Sequence, residues 1–103
     1  KTNVEELRQR YSRRRAYMTG RLTQMGLTYP KPEGAFYVFP DISRFGLSSE
    51  EFCTRMIREA GLAAVPGSCF GAEGYIRLSC CNSEEELEEG LNRLEGFIQR
   101  LLP

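Results

Sequence analysis

Side chains able to perform chemistry are few in this sequence. It contains no histidine, so neither a Ser-His nor a Cys-His catalytic pair can form. Asp41 is the single aspartate. The two lysines are Lys1, at the terminus, and Lys31, between two prolines, and neither position suggests the desolvated pocket that a Schiff-base amine needs. These residues predict a binding domain that lacks a catalytic centre of its own.

One arginine stands out because of the strand that carries it. Strand alternation over residues 74–80 gives an apolar face, Ile76, Leu78 and Cys80, and a mixed face, Tyr75, Arg77 and Ser79. A cation in the middle of a strand is costly to desolvate unless an anion lies beside it. Arg77 is therefore the candidate binding residue. The charge and the N–H donors of its guanidinium can be satisfied in three ways: by a neighbouring glutamate, by solvent, or by a bound carboxylate that accepts two parallel hydrogen bonds.

Known cofactor and metal motifs are missing. The spacing of Gly67, Gly71 and Gly74 matches neither a P-loop nor a dinucleotide fingerprint. The four cysteines, at positions 53, 69, 80 and 81, match no zinc-binding pattern. We expect buried free thiols, as in a reducing compartment such as the cytoplasm, and a disulfide framework is the alternative.

Three helices and three short strands are predicted to position the arginine. The helices cover residues 3–25, 48–60 and 83–101, and the strands cover residues 35–39, 62–65 and 74–80. Ser48 with Glu51, and Ser83 with Glu86, form capping boxes, and Ser49 is the alternative cap of the second helix. The order α-β-α-β-β-α predicts an α+β two-layer sandwich with the helices on one face of a small sheet.

Apolar spacing predicts which side of each element faces the core. The strand at 35–39 is apolar on both faces and is expected to be covered on both. The predicted inward residues of the helices are Val4, Leu7, Tyr11, Met18, Leu22 and Met25 in the first, Phe52, Cys53, Met56, Ile57 and Ala60 in the second, and Leu87, Leu91, Leu94, Phe97, Ile98 and Leu101 in the third. The first stripe is narrow for so long a helix, which suggests that this helix bridges two bodies.

The charge distribution leaves one further binding function open. The 103 residues suit a single domain with net charge zero, yet residues 1–31 carry eight basic and two acidic side chains, whereas residues 32–103 carry six and twelve. A basic first helix is compatible with nucleic-acid binding, but its arginines spread around more than half of the helix, so we expect no nucleic-acid partner. No apolar run approaches the roughly 18 residues that span a membrane.

Two longer motifs resemble a known family. Residues 32–41, Pro-Glu-Gly-Ala-Phe-Tyr-Val-Phe-Pro-Asp, look like the opening strand of the small domain of class I/II aminotransferases, the fold-type-I enzymes that use pyridoxal phosphate. Residues 65–71, Val-Pro-Gly-Ser-Cys-Phe-Gly, followed by residues 74–79, are similar to that family's C-terminal pattern. The order and spacing of the motifs agree with the family, so the resemblance covers essentially the whole chain.

The resemblance implies a function that the isolated residues do not. In that family the arginine of the last motif binds the substrate's α-carboxylate, which would assign this role to Arg77. Residues 1–26 would be the helix that joins a large cofactor domain to the small one, and residues 34–103 the sheet and helices of the small domain. The Schiff-base lysine and the groups that hold pyridoxal phosphate belong to the large domain, so this chain by itself is expected to be inactive and to bind no cofactor.

The parent enzyme implied by the resemblance moves an amino group between an amino acid and a 2-oxo acid, as a homodimer, with aspartate or aromatic amino acids as the expected substrates. The motifs do not distinguish between these amino acids. A small ligand-binding regulatory module of ferredoxin-like shape is the alternative. It predicts a closed domain without an exposed apolar face, whereas part of an aminotransferase predicts a bare apolar surface beside Arg77.

Overall fold

The computed structural model describes residues 4–30, 37–79 and 83–101. It contains three α-helices, α1 (Val4–Gln24), α2 (Ser49–Ala60) and α3 (Glu84–Leu101), and three strands, β1 (Tyr37–Val38), β2 (Val65–Pro66) and β3 (Ile76–Ser79). Short 3₁₀ helices lie at Ser43–Phe45 and Gly67–Phe70. The predicted α-β-α-β-β-α order and the α+β class are confirmed.

The sheet is antiparallel, and β3 is its central strand. The strand order is β1-β3-β2. On one side Val38 pairs with Leu78, and on the other side Val65 pairs with Arg77. Pro66 lies in the edge strand β2, where a residue without an N–H group is tolerated because the outer side of the strand needs no partner.

One hydrophobic core joins the three helices to a single face of the sheet. Val38, Ile76 and Leu78 lie on the buried face, at 1%, 0% and 7% exposure. Phe52 of α2 and Phe97 of α3 meet edge to face, with ring centroids 5.2 Å apart. Burial of aromatic pairs in this geometry contributes more than their area alone. The helices therefore lie on one face of the sheet, as the sequence predicts.

Helix ends follow the local chemistry of the sequence. The Ser48 side chain accepts a hydrogen bond from the backbone N–H of Glu51, so Ser48 is the cap of α2 and Ser49 is not. Ser83 and Glu86 form the predicted capping box of α3. Gly61 ends α2 with a φ of 69°, a left-handed conformation that glycine adopts without steric cost.

The strand predictions were partly wrong. The predicted strand at 62–65 is observed at Val65–Pro66, because only these residues reach the pairing partners Ile76 and Arg77. Of the strand predicted at 35–39, residues 35 and 36 lie outside the described residues. Tyr37 is 37% exposed, so the expectation that both faces of this strand are covered was wrong for this chain.

Three predictions of burial on the helices were also wrong. Ile57 is 53% exposed, because it lies at the edge of the apolar stripe of α2. On α1, Met18 and Leu22 are buried, but Val4 and Leu7 are 68% and 42% exposed because no other described element covers the first turns of the helix.

The cysteines differ from one another. Cys53 is a buried free thiol, as predicted, and burial, with a smaller contribution from Cys69, raises its pKa to about 11. Cys69 is a free thiol as well but is exposed, so its predicted burial was wrong. It lies on the second 3₁₀ helix, at the surface of the loop between β2 and β3. Cys80 and Cys81 lie outside the described residues.

The described residues contain neither a membrane-spanning helix nor a cluster of metal-binding side chains. Within 4–30, 37–79 and 83–101, no helix has the length and apolarity needed to cross a membrane. The same residues contain no group of three or more histidine, cysteine, aspartate or glutamate side chains placed to hold a metal ion.

Truncation of the core aromatic pair tests this packing. Phe97 is fully buried, so Phe97→Ala is expected to lower the free energy of unfolding by about 3–5 kcal/mol in urea denaturation followed by circular dichroism. Ile57→Ala is the matched control, expected to change it by less than about 0.5 kcal/mol because Ile57 is exposed. Equal losses in the two variants would contradict the observed core.

Candidate functional site

Arg77 occupies the middle of the sheet on the face opposite the core. Its direct neighbour on β2 is Val65. On the other side, the pairing of Val38 with Leu78 and of Asp41 with Tyr75 places Phe39 opposite Arg77. A paired central strand is a rigid mount, so the backbone of Arg77 is held on both sides.

One aromatic ring lies against the guanidinium, and two more form a pair next along the sheet. The Cζ atom of Arg77 lies 4.2 Å from the ring centroid of Tyr37, a diagonal neighbour on β1, which is a cation–π contact. Phe39 meets Phe70 edge to face, with centroids 5.4 Å apart. Tyr37 and Phe70 are each 37% exposed, so the ring of Tyr37 is partly open beside the arginine and the ring of Phe70 is partly open on the loop before β3.

A shallow cavity of about 210 Å³ lies over the outer face of the sheet. It is lined by Tyr37, Ala63, Ala64, Val65, Arg77 and Ser79. The small alanines leave room above the sheet, and the guanidinium is the single cation in the lining. Such a cavity suits a small anion with an apolar part, because five N–H donors meet an otherwise largely apolar wall.

No carboxylate of the described residues forms an ion pair with Arg77. The ion pairs found there join Arg21 to Glu95, Arg55 to Glu59, and Arg93 to Glu89. A ring face offers no lone pair comparable to a carboxylate oxygen, so Tyr37 does not satisfy the N–H donors of the guanidinium. Of the three situations foreseen for Arg77, the neighbouring glutamate is not observed within the described part of the chain.

Glu73 is the nearest acidic residue in the sequence, and the structure uses it elsewhere. Its carboxylate accepts hydrogen bonds from the N–H and the hydroxyl of Ser49, at 2.7 and 3.0 Å, and from the N–H of Gly74 at 3.0 Å. The N–H and the hydroxyl of Ser49, followed by the N–H of Gly74, hold the pKa of Glu73 below its usual value.

Sequence reasoning missed Glu73 as a residue of interest. A signal was available, because Glu73 and Arg77 are the two charged residues between positions 60 and 83. The pattern of charges suggests that they pair with each other. Only the tertiary structure shows that Glu73 instead binds the first turn of α2.

The loop between β2 and β3 is tightly closed at Gly67. Its N–H donates to the carbonyl of Tyr75 at 2.7 Å, and its carbonyl accepts from the N–H of Ala72 at 2.8 Å. A Cβ atom built at Gly67 would lie 1.9 Å from the carbonyl oxygen of Ala72. Glycine is required here because the backbone passes too close for any side chain.

The other chemically interesting side chains do not join this site. Asp41 accepts hydrogen bonds from the N–H and hydroxyl of Ser43, at 2.8 and 2.6 Å, so its carboxylate stabilises the turn that follows β1. Lys1 and Lys31 lie outside the described residues. Among the described residues, Arg77 is therefore brought together with Tyr37 and with small side chains, and not with a carboxylate or an amine.

The described residues do not fit a pyridoxal phosphate site. Residues 4–30, 37–79 and 83–101 include no lysine amine for the cofactor's aldehyde. The one aspartate among them, Asp41, is engaged by Ser43. What the described surface offers is a guanidinium beside an open cavity, which can bind an anion.

The contacts of Glu73 predict acid sensitivity. Because the pKa of this carboxyl is lower in the folded chain, its contribution to stability is present above about pH 4.5 and is lost as the pH falls through the folded pKa. Glu73→Gln is expected to lower the urea midpoint most at neutral pH, with the difference from the unmodified chain shrinking below pH 4.5.

Glu51→Gln is the control for that measurement. It makes the same change of charge at the same end of α2, without the Ser49 contacts. A Glu73→Gln variant that follows the unmodified chain at every pH would contradict the role of this carboxylate.

Comparison with known proteins identifies the family. The sequence matches the model of the family described as Aminotransferase class I and II over residues 1–94. Aromatic-amino-acid aminotransferase 2 of Thermococcus litoralis is 52% identical over 98 residues, which cover 93% of this chain and 25% of that protein. An aspartate aminotransferase of Pyrococcus abyssi is 51% identical, with the same coverage.

The fold agrees with solved structures. An aromatic aminotransferase from Pyrococcus horikoshii OT3 superposes with a TM-score of 0.91 and 47% identity, covering 96% of this chain and 28% of that one. The chain thus spans about a quarter of the length of the curated relatives it matches. The resemblance noted from the two sequence motifs is confirmed, and the chain belongs to the class I and II aminotransferase family.

Proposed function

We propose that this chain is the C-terminal, substrate-carboxylate-binding domain of a pyridoxal-phosphate-dependent aminotransferase. In this proposal, residues 1–26 connect to a larger domain and residues 34–103 form the small domain. The single observation that carries the proposal is the guanidinium of Arg77, which lies beside an open cavity and has no ion-pair partner among the described residues. The family match and the quarter-length coverage support it.

Arg77 would bind and orient the substrate. Two parallel hydrogen bonds from a guanidinium to a carboxylate fix both the position and the plane of that group. Fixing the α-carboxylate places the Cα–H bond for proton removal by a base that another part of the enzyme supplies. Tyr37 would stabilise this geometry, because the cation–π contact with its ring holds the guanidinium while leaving the N–H donors free for the carboxylate.

The remaining parts of the reaction would lie outside the described residues. Pyridoxal phosphate, when bound, carries the amino group and stabilises the carbanion at Cα. The larger domain would hold it, and the expected substrates are an amino acid of the aspartate or aromatic type and a 2-oxo acid. A homodimeric parent enzyme and a cytoplasmic location, which the expected free thiols support, complete the proposal.

Exposed apolar side chains favour this function over a complete regulatory module. A closed ferredoxin-like domain would cover its apolar faces. Here Tyr37 is open beside Arg77, and Val4 and Leu7 are open on the first turns of α1. These two surfaces are where a larger domain would be expected to pack.

The isolated chain provides the first test. Residues 1–103 mixed with pyridoxal phosphate alone are expected to leave the absorbance of the cofactor unchanged. After an amino acid and a 2-oxo acid are added, we expect no amino transfer above the rate measured without protein. The gene upstream of Lys1 is expected to encode a larger domain with a lysine that follows a serine. The full-length enzyme is the positive control, and a cofactor absorbance change that depends on Lys31 would contradict the proposal.

Kinetics of the full-length enzyme that includes this chain provide the second test. Arg77→Ala is expected to raise KM and to lower kcat/KM by roughly 30- to 1,000-fold, equivalent to about 2–4 kcal/mol, because charge-assisted hydrogen bonds to the substrate are lost. Cofactor binding should be nearly unchanged. Arg58→Ala, at an exposed position of α2, is the matched control. Unchanged kinetics in Arg77→Ala would remove this arginine from the substrate site.

A further inference from the structure

We propose that Glu73 is a positioning residue for Arg77, because its carboxylate holds the loop of residues 67–74 on the first turn of α2 and so sets the place of β3. This inference rests on the carboxylate-binding role proposed above for Arg77. Glu73 does not contact the candidate cavity. It would act through the backbone that leads into the central strand.

The first connection runs from Glu73 to α2. One carboxylate oxygen accepts from the N–H of Ser49 at 2.7 Å and from the N–H of Gly74 at 3.0 Å, and the other accepts from the hydroxyl of Ser49 at 3.0 Å. Ser49 is 0% exposed. A negative charge at this end of a helix is favoured by the unpaired N–H groups of the first turn.

The second connection ties the other arm of the loop to the same serine. The N–H of Ser68 donates to the hydroxyl oxygen of Ser49 at 3.1 Å. This hydroxyl therefore accepts from Ser68 while donating to Glu73. Both arms of the loop, one following β2 and one preceding β3, converge on one buried side chain.

The third connection extends from the loop to the rest of the sheet. The carbonyl of Gly74 accepts from the N–H of Ile42 at 2.8 Å, and the N–H of Ile76 donates to the carbonyl of Pro40 at 3.1 Å. Gly74, whose N–H donates to the carboxylate of Glu73, is thus also hydrogen-bonded to the segment that follows β1. Displacement of Gly74 would disturb the start of β3 on that side.

Arg77 follows Gly74 by three residues, so a shift of the loop is transmitted to the guanidinium. Two parallel hydrogen bonds to a carboxylate tolerate little displacement, and a misplacement of about 1 Å can reduce a rate by roughly 100-fold. Glutamine at position 73 would keep one acceptor oxygen in place of two and would remove the charge. The loop would remain but would be held less tightly.

The test compares two substrates in the full-length enzyme that includes this chain. One is an amino acid, and the other is the corresponding amine, which lacks the α-carboxylate; single turnovers report the reaction of each. Glu73→Gln is expected to lower kcat/KM for the amino acid by about 10- to 100-fold and for the amine by less than about 2-fold. Equal losses for both substrates would indicate a general structural defect and would overturn the inference.

Further variants connect the effect to Arg77. Glu73→Gln combined with Arg77→Ala is expected to be no slower than Arg77→Ala alone, because the two residues act through one contact. If the loss of kcat/KM in the double variant equalled the product of the losses in the two single variants, the shared role would be contradicted. Glu51→Gln, with the same charge change in the same first turn of α2, is expected to retain the unmodified kinetics. If Glu73→Gln fails to fold, Ser49→Ala, which removes the shared hydroxyl, gives the same comparison.

The kinetics of the variants distinguish the positioning role of Glu73 from the carboxylate-binding role of Arg77. If Arg77→Ala itself leaves the amino acid kinetics unchanged, the carboxylate-binding role of Arg77 is lost, and the positioning role of Glu73 is lost with it. If Arg77→Ala shows its expected loss while both Glu73→Gln and Ser49→Ala leave the ratio of amino acid to amine unchanged, only the positioning role of Glu73 is overturned.

Discussion

The alternation of β3 is the constraint on which the rest of this structure depends. Ile76 and Leu78 point into the core, so Arg77 must point to the opposite face. Because β3 is paired on both sides, its register is set by two neighbours, and a slip of one residue would place the cation in the core. The hydrophobic core therefore holds the candidate binding residue in place without touching it.

Glu73 and Arg77 have opposite charges and lie four residues apart in the sequence, yet in the structure they contact different groups. Glu73 binds the first turn of α2, whereas Arg77 faces an open cavity. A direct pair would satisfy both side chains and would leave no cation for a ligand. The preference of a helix N-terminus for a carboxylate gives Glu73 a different partner, and this division is what keeps the guanidinium available.

Prediction from the sequence succeeded where local chemistry decides. The capping boxes at Ser48 and Ser83, the end of α2 at Gly61 and the alternation of β3 follow from residue types within one turn or one strand. Prediction failed where the bounds of a strand or the burial of a side chain depend on residues distant in the sequence. The strand β2 begins at Val65, three residues later than expected, because only Val65 and Pro66 pair with β3. Ile57 has a spacing close to that of the buried residues of α2, yet it lies at the edge of their stripe and is 53% exposed.

The sequence by itself determined the order of elements, the face of β3 on which Arg77 lies, and the resemblance of two motifs to class I/II aminotransferases. These depend on residue periodicity and on local motifs. Only the tertiary structure decided that Tyr37 stacks against the guanidinium and that the carboxylate of Glu73 binds Ser49 of α2. The physical reason is that these contacts join residues 40 and 24 positions apart, and their formation depends on how the sheet and α2 pack, which no local pattern encodes.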